Sequence, residues 1–129
     1  MPKPERDAPL TPLELEVMKV LWETGPASVQ AVHAGIQEVR PLAFNTVQTV
    51  LTILFRKGKV KRTLRDRAYV YRAAVTRDSA AGHALRDLID RVFQSRPEEL
   101  VLSMVRNRQL SSRQLAELQK LVEEEGNDG

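Results

Sequence analysis

Asn45, Gln48, Thr49, Thr52 and Arg56 recur at the spacing that brings side chains to one face of a helix. The chemistry open to such a face is hydrogen bonding to base edges. Asn and Gln bond bidentately to adenine, and a Thr methyl can touch a thymine methyl. A face chosen only for solubility would more often carry Glu and Lys. The charge stands beside this face instead. From residue 56 to residue 72 there are eight basic side chains (Arg56, Lys57, Lys59, Lys61, Arg62, Arg65, Arg67 and Arg72) and one acid, Asp66. That +7 stretch is a candidate surface for backbone phosphates, which would flank a helix docked in a groove.

Other chemistries find little support. The chain has no cysteine, which removes disulfides, thiolate metal sites and cysteine catalysis and fits a reducing compartment. Its two histidines, His33 and His83, are far apart and read as ordinary surface or interface residues, so no metal is expected. No nucleophile, base and orienting group come together, so no enzyme and no cofactor are expected. Asp87 and Asp90 read as part of a solvated helix face. Six aromatic residues in 129 argue against single-strand binding by base stacking. No apolar run is long enough for direct membrane insertion, and the first residues lack a signal-peptide core; a cytoplasmic location is expected.

The elements that would position these residues follow from caps and periodicity. Thr11 as N-cap, Pro12 and Glu14 make a capping box, with Leu10 and Leu15 as its staple, and Gly25-Pro26 ends this first helix. Ser28 caps a second helix with Val29, Val32 and Ile36 inward. After Pro41 a third carries Val47, Val50, Leu51, Leu54 and Phe55 as a buried stripe, and Gly58 terminates it. Trp22 and Phe55 read as core aromatics, Met18 and Met104 as packing residues. The period then changes to two over 60–64 and 68–72, a hairpin turning near Asp66. Thr76 caps a long helix with Ala81, Ala84, Leu85, Leu88, Ile89, Val92 and Phe93 on one stripe, ending near Ser95. Pro97 restarts a short helix, and Ser111 and Gln114 form a second capping box, with Leu110 and Leu115 as staple.

The fold expected is mainly α with a small β-hairpin: an N-terminal winged helix-turn-helix followed by a C-terminal helical dimerisation region. Its parts are a tail at 1–9, a winged helix at 10–75, a dimerisation domain at 76–125 and a tail at 126–129. Charge divides accordingly. Residues 1–75 hold 12 basic and 7 acidic residues, and residues 76–129 hold 8 and 10. The C-terminal region carries 15 large apolar residues, too few for a separate core but suited to pooling with a second copy. Leu85, Leu88, Ile89, Val92, Leu115, Leu118 and Leu121 are the expected interface.

Three motifs carry a family resemblance. Leu10-Thr11-Pro12-Leu13-Glu14-Leu15-Glu16-Val17-Met18-Lys19-Val20-Leu21-Trp22, Asn45-Thr46-Val47-Gln48-Thr49-Val50-Leu51 with Lys57-Gly58, and Arg67-Ala68-Tyr69-Val70-Tyr71-Arg72 resemble the penicillinase-repressor family of BlaI/MecI/CopY-type regulators over roughly residues 10–125. The resemblance implies repression by a homodimer on an inverted-repeat DNA operator. It implies base contacts from Asn45, Thr46, Gln48, Thr49 and Thr52. Backbone contacts are expected from Thr11, Lys61 and Arg67, with Arg56 at the helix end. It further implies release by a membrane metalloprotease sensor cutting in the C-terminal region, where the matching bond is Ser103–Met104. The chain departs from the family at the wing turn, where Asp66 replaces a frequent Gly, and at Ile53, where a polar or basic residue is usual. It also lacks the C-terminal cysteines of the copper-responsive branch. Two alternatives stand beside this reading: a winged-helix protein-interaction module without specific DNA binding, which would be expected to expose more aromatics, and a small-molecule-responsive repressor.

Overall fold

In the computed structural model, which describes residues 9–126, helix α1 (Pro12–Thr24) begins with the expected capping box. The Glu14 backbone N–H donates to Thr11 Oγ1 at 3.2 Å, and the Thr11 N–H donates to Glu14 Oε1 at 3.0 Å. A two-residue strand, β1 (Ala27–Ser28), precedes α2 (Val29–Ile36), which Ser28 caps by accepting the Ala31 N–H. Then come α3 (Phe44–Arg56) and the strands β2 (Val60–Arg65) and β3 (Ala68–Ala73). The three strands form one antiparallel sheet in the order β1-β3-β2. β1 enlarges the expected hairpin by a strand: Ala27 pairs with Tyr71 and Ser28 with Val70. Two residues carry no detectable period, so the sequence could not announce it.

The core unites all of these elements. Val17, Met18 and Leu21 of α1, Val32 and Ile36 of α2, Val47, Leu51 and Leu54 of α3, and Val60 and Tyr71 of the sheet are buried. Burying each large aliphatic side chain contributes about 1.5–3 kcal/mol, enough to hold α3 against the other helices. Gly35 permits the close approach of α2 to α1, because a Cβ there would stand 2.9 Å from Val20 Cγ1. Trp22 ties the end of the sheet to α1 by donating its indole N–H to the Val75 carbonyl at 2.9 Å.

Phe55 corrects the expected stripe. It is 39% exposed, since α3 is in its last turn there and the ring leans toward the sheet instead of the core. The helix ends at Arg56, and Gly58 follows in the left-handed region at φ 76°, as a C-terminal glycine does. The hairpin turns on two residues with positive φ, Asp66 at 49° and Arg67 at 70°, the pattern that matches the twist of the flanking strands.

The chain divides into two units, the first reaching Asp87 and the second starting at Leu88. Helix α4 (Arg77–Val92) contributes to both, with Thr76 accepting the Ser79 N–H at its start. The expected boundary at residue 76 marks the start of that helix. The second unit continues with α5 (Pro97–Arg106) and α6 (Ser112–Gly126). The capping box of α6 is present: the Gln114 N–H donates to Ser111 Oγ, and the Ser111 N–H to Gln114 Oε1. None of the described residues of this unit is buried. The tail expected at 126–129 begins inside α6 with Gly126. The rest of it, and the tail expected at 1–9 apart from Pro9, lie outside the described residues. Among the described residues, no helix is long and apolar enough to cross a membrane.

Candidate nucleic-acid interface

Helix α3 presents the polar strip. Val47, Val50, Leu51 and Leu54 face the core, which forces Asn45, Gln48 and Thr49 outward. All three are exposed, and no described side chain or carbonyl bonds to theirs. Thr52 differs: it is half-buried, and its hydroxyl donates to the Gln48 carbonyl at 3.0 Å. Its proton is engaged, so the methyl is what it can offer. Thr46 and Ile53 are half-buried too.

The turn leading into α3 is fastened by a residue for which the sequence suggests no special role. His33 Nε2 lies 2.9 Å from the Leu42 carbonyl, and Gln37 Nε2 donates to the same oxygen at 2.6 Å. A carbonyl only accepts, so His33 carries its proton on Nε2 here. Its ring also meets Phe44 edge-on, with centroids 5.7 Å apart. His33 is therefore a positioning residue at the start of the helix, where it was expected to be an ordinary surface or interface one. Its spacing to Leu42 holds no helix period that could have revealed this.

The basic run is sorted by the fold. Strand alternation and register put Lys61, Thr63, Arg65 and Arg72 on one face of the sheet and Arg62, Leu64, Tyr69 and Tyr71 on the other. Arg56, Lys61, Arg65, Arg67 and Arg72 are exposed. Three cations expected at the surface are withdrawn. Lys59 is 2% exposed. Lys57 donates from Nζ to both oxygens of Glu14, at 3.0 and 2.8 Å. Arg62 lies between two aromatic rings. The usable charge is smaller than the +7 count and is concentrated on one sheet face, at the hairpin turn and at the end of α3.

What remains is a helix with a free amide-and-hydroxyl strip, bordered by arginine and lysine. This is the division of labour expected between base edges and phosphates. The model of the penicillinase repressor family matches residues 10–124. The chain belongs to that family. It is similar to the penicillinase repressor of Bacillus licheniformis, with 27% identity over 114 residues that cover 88% of this chain and 89% of the relative. Among solved structures it is similar to the monomeric form of Bacillus licheniformis BlaI in complex with the blaP half-operator, with 27% identity, 54% of this chain and 85% of that one covered, and a TM-score of 0.48. It also resembles a complex of hsRosR-S4 at 20% identity and a TM-score of 0.51, covering 81% of this chain and 94% of that one, a likeness of fold.

In this penicillinase repressor relative, the other expected site residues fall as follows. Thr11 is exposed at the start of α1, and its oxygen accepts the Glu14 N–H. Capping uses a lone pair and leaves the hydroxyl proton for an outside acceptor. Leu85, Leu88, Val92, Leu118 and Leu121 are exposed, and Ile89 and Leu115 are half-buried. Ser103 and Met104 lie inside α5, half-buried. The Ser103 carbonyl accepts the Asn107 backbone N–H at 2.9 Å and its Nδ2 at 2.8 Å.

Proposed function

We propose that this chain is a sequence-specific repressor whose homodimer grips an inverted-repeat operator in double-stranded DNA. The observation that carries the reading is the strip on α3: Asn45, Gln48 and Thr49 are exposed, free of partners among the described residues, and flanked by cations. Base contacts are assigned to those three, to Thr46 and to the Thr52 methyl, and phosphate contacts to Thr11, Arg56, Lys61 and Arg67. An address in the cytoplasm, where the DNA lies, follows from this reading.

Dimerisation is supported by the second unit, which buries no described residue yet holds Leu88, Val92, Leu118 and Leu121 at least 40% exposed. Apolar faces of that extent on a soluble chain call for a partner, and an isologous pair matches an inverted repeat. Release by a membrane metalloprotease sensor that cuts Ser103–Met104 fits the same picture, with one physical condition. The bond is helical and its carbonyl doubly bonded, so the last turn of α5 must open before a protease can take it.

The test is to select bound duplexes from a random pool with the full chain, then compare variants on the selected site. An inverted repeat should be recovered. Gln48→Ala should weaken that site by about 1–3 kcal/mol and leave random DNA nearly unchanged. Recovery of no preferred sequence would return the chain to a protein-docking role. Equal losses on both DNAs would remove Gln48 from base reading.

Control by a small molecule is favoured by one observation. A cavity of about 580 Å³ within the first unit is lined by Leu10, Leu15, Trp22 and Ala84 together with Lys19, Glu23 and Arg77. An amphiphilic carboxylate suits it, because the lining is mostly apolar and its two cations outnumber its one acid. Trp22 is the chain's one tryptophan. Octanoate should therefore shift the fluorescence saturably below millimolar concentration, and a linear or absent response rejects this site.

A further inference from the structure

Two aromatic side chains stand half in solvent beside the interface, Phe55 on the last turn of α3 and Tyr69 on β3. Both are explained by a single residue between them. The guanidinium carbon of Arg62 lies 3.9 Å from the centre of the Phe55 ring and 4.1 Å from that of Tyr69. Arg62 Nη1 reaches Tyr71 Oη at 3.5 Å, and Tyr71 is a buried core residue whose ring lies 6.2 Å from that of Tyr69. A guanidinium this close to two rings, with a hydrogen bond besides, has little freedom left.

The consequence concerns geometry between elements. Phe55 belongs to the helix that carries Asn45, Gln48 and Thr49. Tyr69 belongs to the hairpin that carries Lys61, Arg65 and Arg67. Arg62 itself sits on the sheet face opposite Lys61, Arg65 and Arg72. It is thus poorly placed to meet the phosphates those residues would meet, although it falls in the middle of the basic run.

We infer that Arg62 is a positioning residue for operator recognition: by bridging Phe55 and Tyr69 it fixes the angle between the reading helix and the wing. Sequence-specific binding needs the helix strip and the wing cations to fit one stretch of duplex together. Random DNA imposes no such joint fit, because each set of cations finds phosphates wherever it lands. A loosened bridge therefore costs discrimination more than it costs general affinity. Lysine preserves the charge, but its single ammonium cannot approach both rings and bond Tyr71 together as the broad guanidinium does.

The inference rests on the DNA-binding reading, and the experiment separates the two. The full chain is titrated against its selected site and against random duplex, with thermal unfolding measured alongside. The variants are Arg62→Lys, Arg62→Gln, Phe55→Leu and the Arg62→Gln/Phe55→Leu pair. Each single change is expected to lower the ratio of site to random affinity about tenfold, and the double change to fall no further than either single one, because all of them break one bridge. Three results overturn the proposal. Rescue by Arg62→Lys, with Arg62→Gln weakening both DNAs alike, makes Arg62 a phosphate ligand. A lower melting temperature with an unchanged ratio makes the bridge a matter of stability alone. Losses that add in the double variant mean that Arg62 does not act through Phe55. If the unaltered chain prefers no site at all, it is the DNA-binding reading that fails.

Discussion

Replacing Lys57 with methionine is expected to lower the free energy of unfolding by about 2–4 kcal/mol, a large effect for a residue that the sequence places in a surface charge run. Glu14 is 5% exposed, and its two oxygens accept from Lys57 Nζ at 3.0 and 2.8 Å. Without the ammonium, the buried carboxylate is left with the bond it accepts from the Thr11 N–H. Stranding a buried charge in this way costs about 3–5 kcal/mol in general, and the partial exposure of Lys57 moderates it, since water can reach that side of the pair. Glu14→Gln should be milder, about 1 kcal/mol, because the amide oxygen keeps the capping bond and the freed lysine can turn outward. Combining Lys57→Met with Glu14→Gln should recover most of the loss. Urea unfolding of the three variants checks this. A change under about 0.5 kcal/mol for Lys57→Met would mean that the pair does not hold the start of α1 to the turn after α3.

A chain ending at Ser103 is expected to keep its first unit folded and to lose its grip on the full operator. The buried hydrophobic core is drawn from residues between Val17 and Tyr71, all of which survive the truncation. What goes is the last turn of α5 and the whole of α6, with Leu115, Leu118 and Leu121. Leu118 and Leu121 are 45% and 52% exposed in the single chain. Covering the open part of each of the three leucines in a dimer is worth about 1 kcal/mol on each chain, and a dimer holds two such sets. Losing roughly 6 kcal/mol raises the dimer dissociation constant by about 10⁴. A monomer holds one half-site, so affinity for the full site should drop by more than about a hundredfold while a single half-site binds as before. Sedimentation of the truncated and full chains, with titration against both duplexes, measures each step. A truncated chain that stays dimeric at micromolar concentration and binds the full site normally would make α6 dispensable.

Legibility followed the distance between interacting residues. The capping boxes at Thr11/Glu14 and Ser111/Gln114 lie within four residues and could be read directly, as could the core stripe of α3 from Val47 to Leu54. Links across the chain had no local signature. Glu14 and Lys57 are 43 positions apart, and Trp22 and Val75 are 53. Phe55 fitted the helical period and still points elsewhere, because Arg62 from the next strand offers its ring a cation. The polar strip was visible as residue types at a spacing. Which cations accompany it was not, since strand register decides which face each joins, and Lys57, Lys59 and Arg62 look like their neighbours when written in a row.

The hairpin turn trades backbone ease for charge at its second residue. Turns of this geometry run most easily on Asp-Gly, and this one has Asp66 followed by Arg67, with φ at 49° and 70°. A left-handed arginine costs on the order of 1 kcal/mol that glycine would not. Glycine at 67 would make the turn sturdier and would remove its cation. Under the phosphate role proposed for Arg67, the sturdiness of the wing tip and its grip on DNA are therefore set against each other at a single side chain.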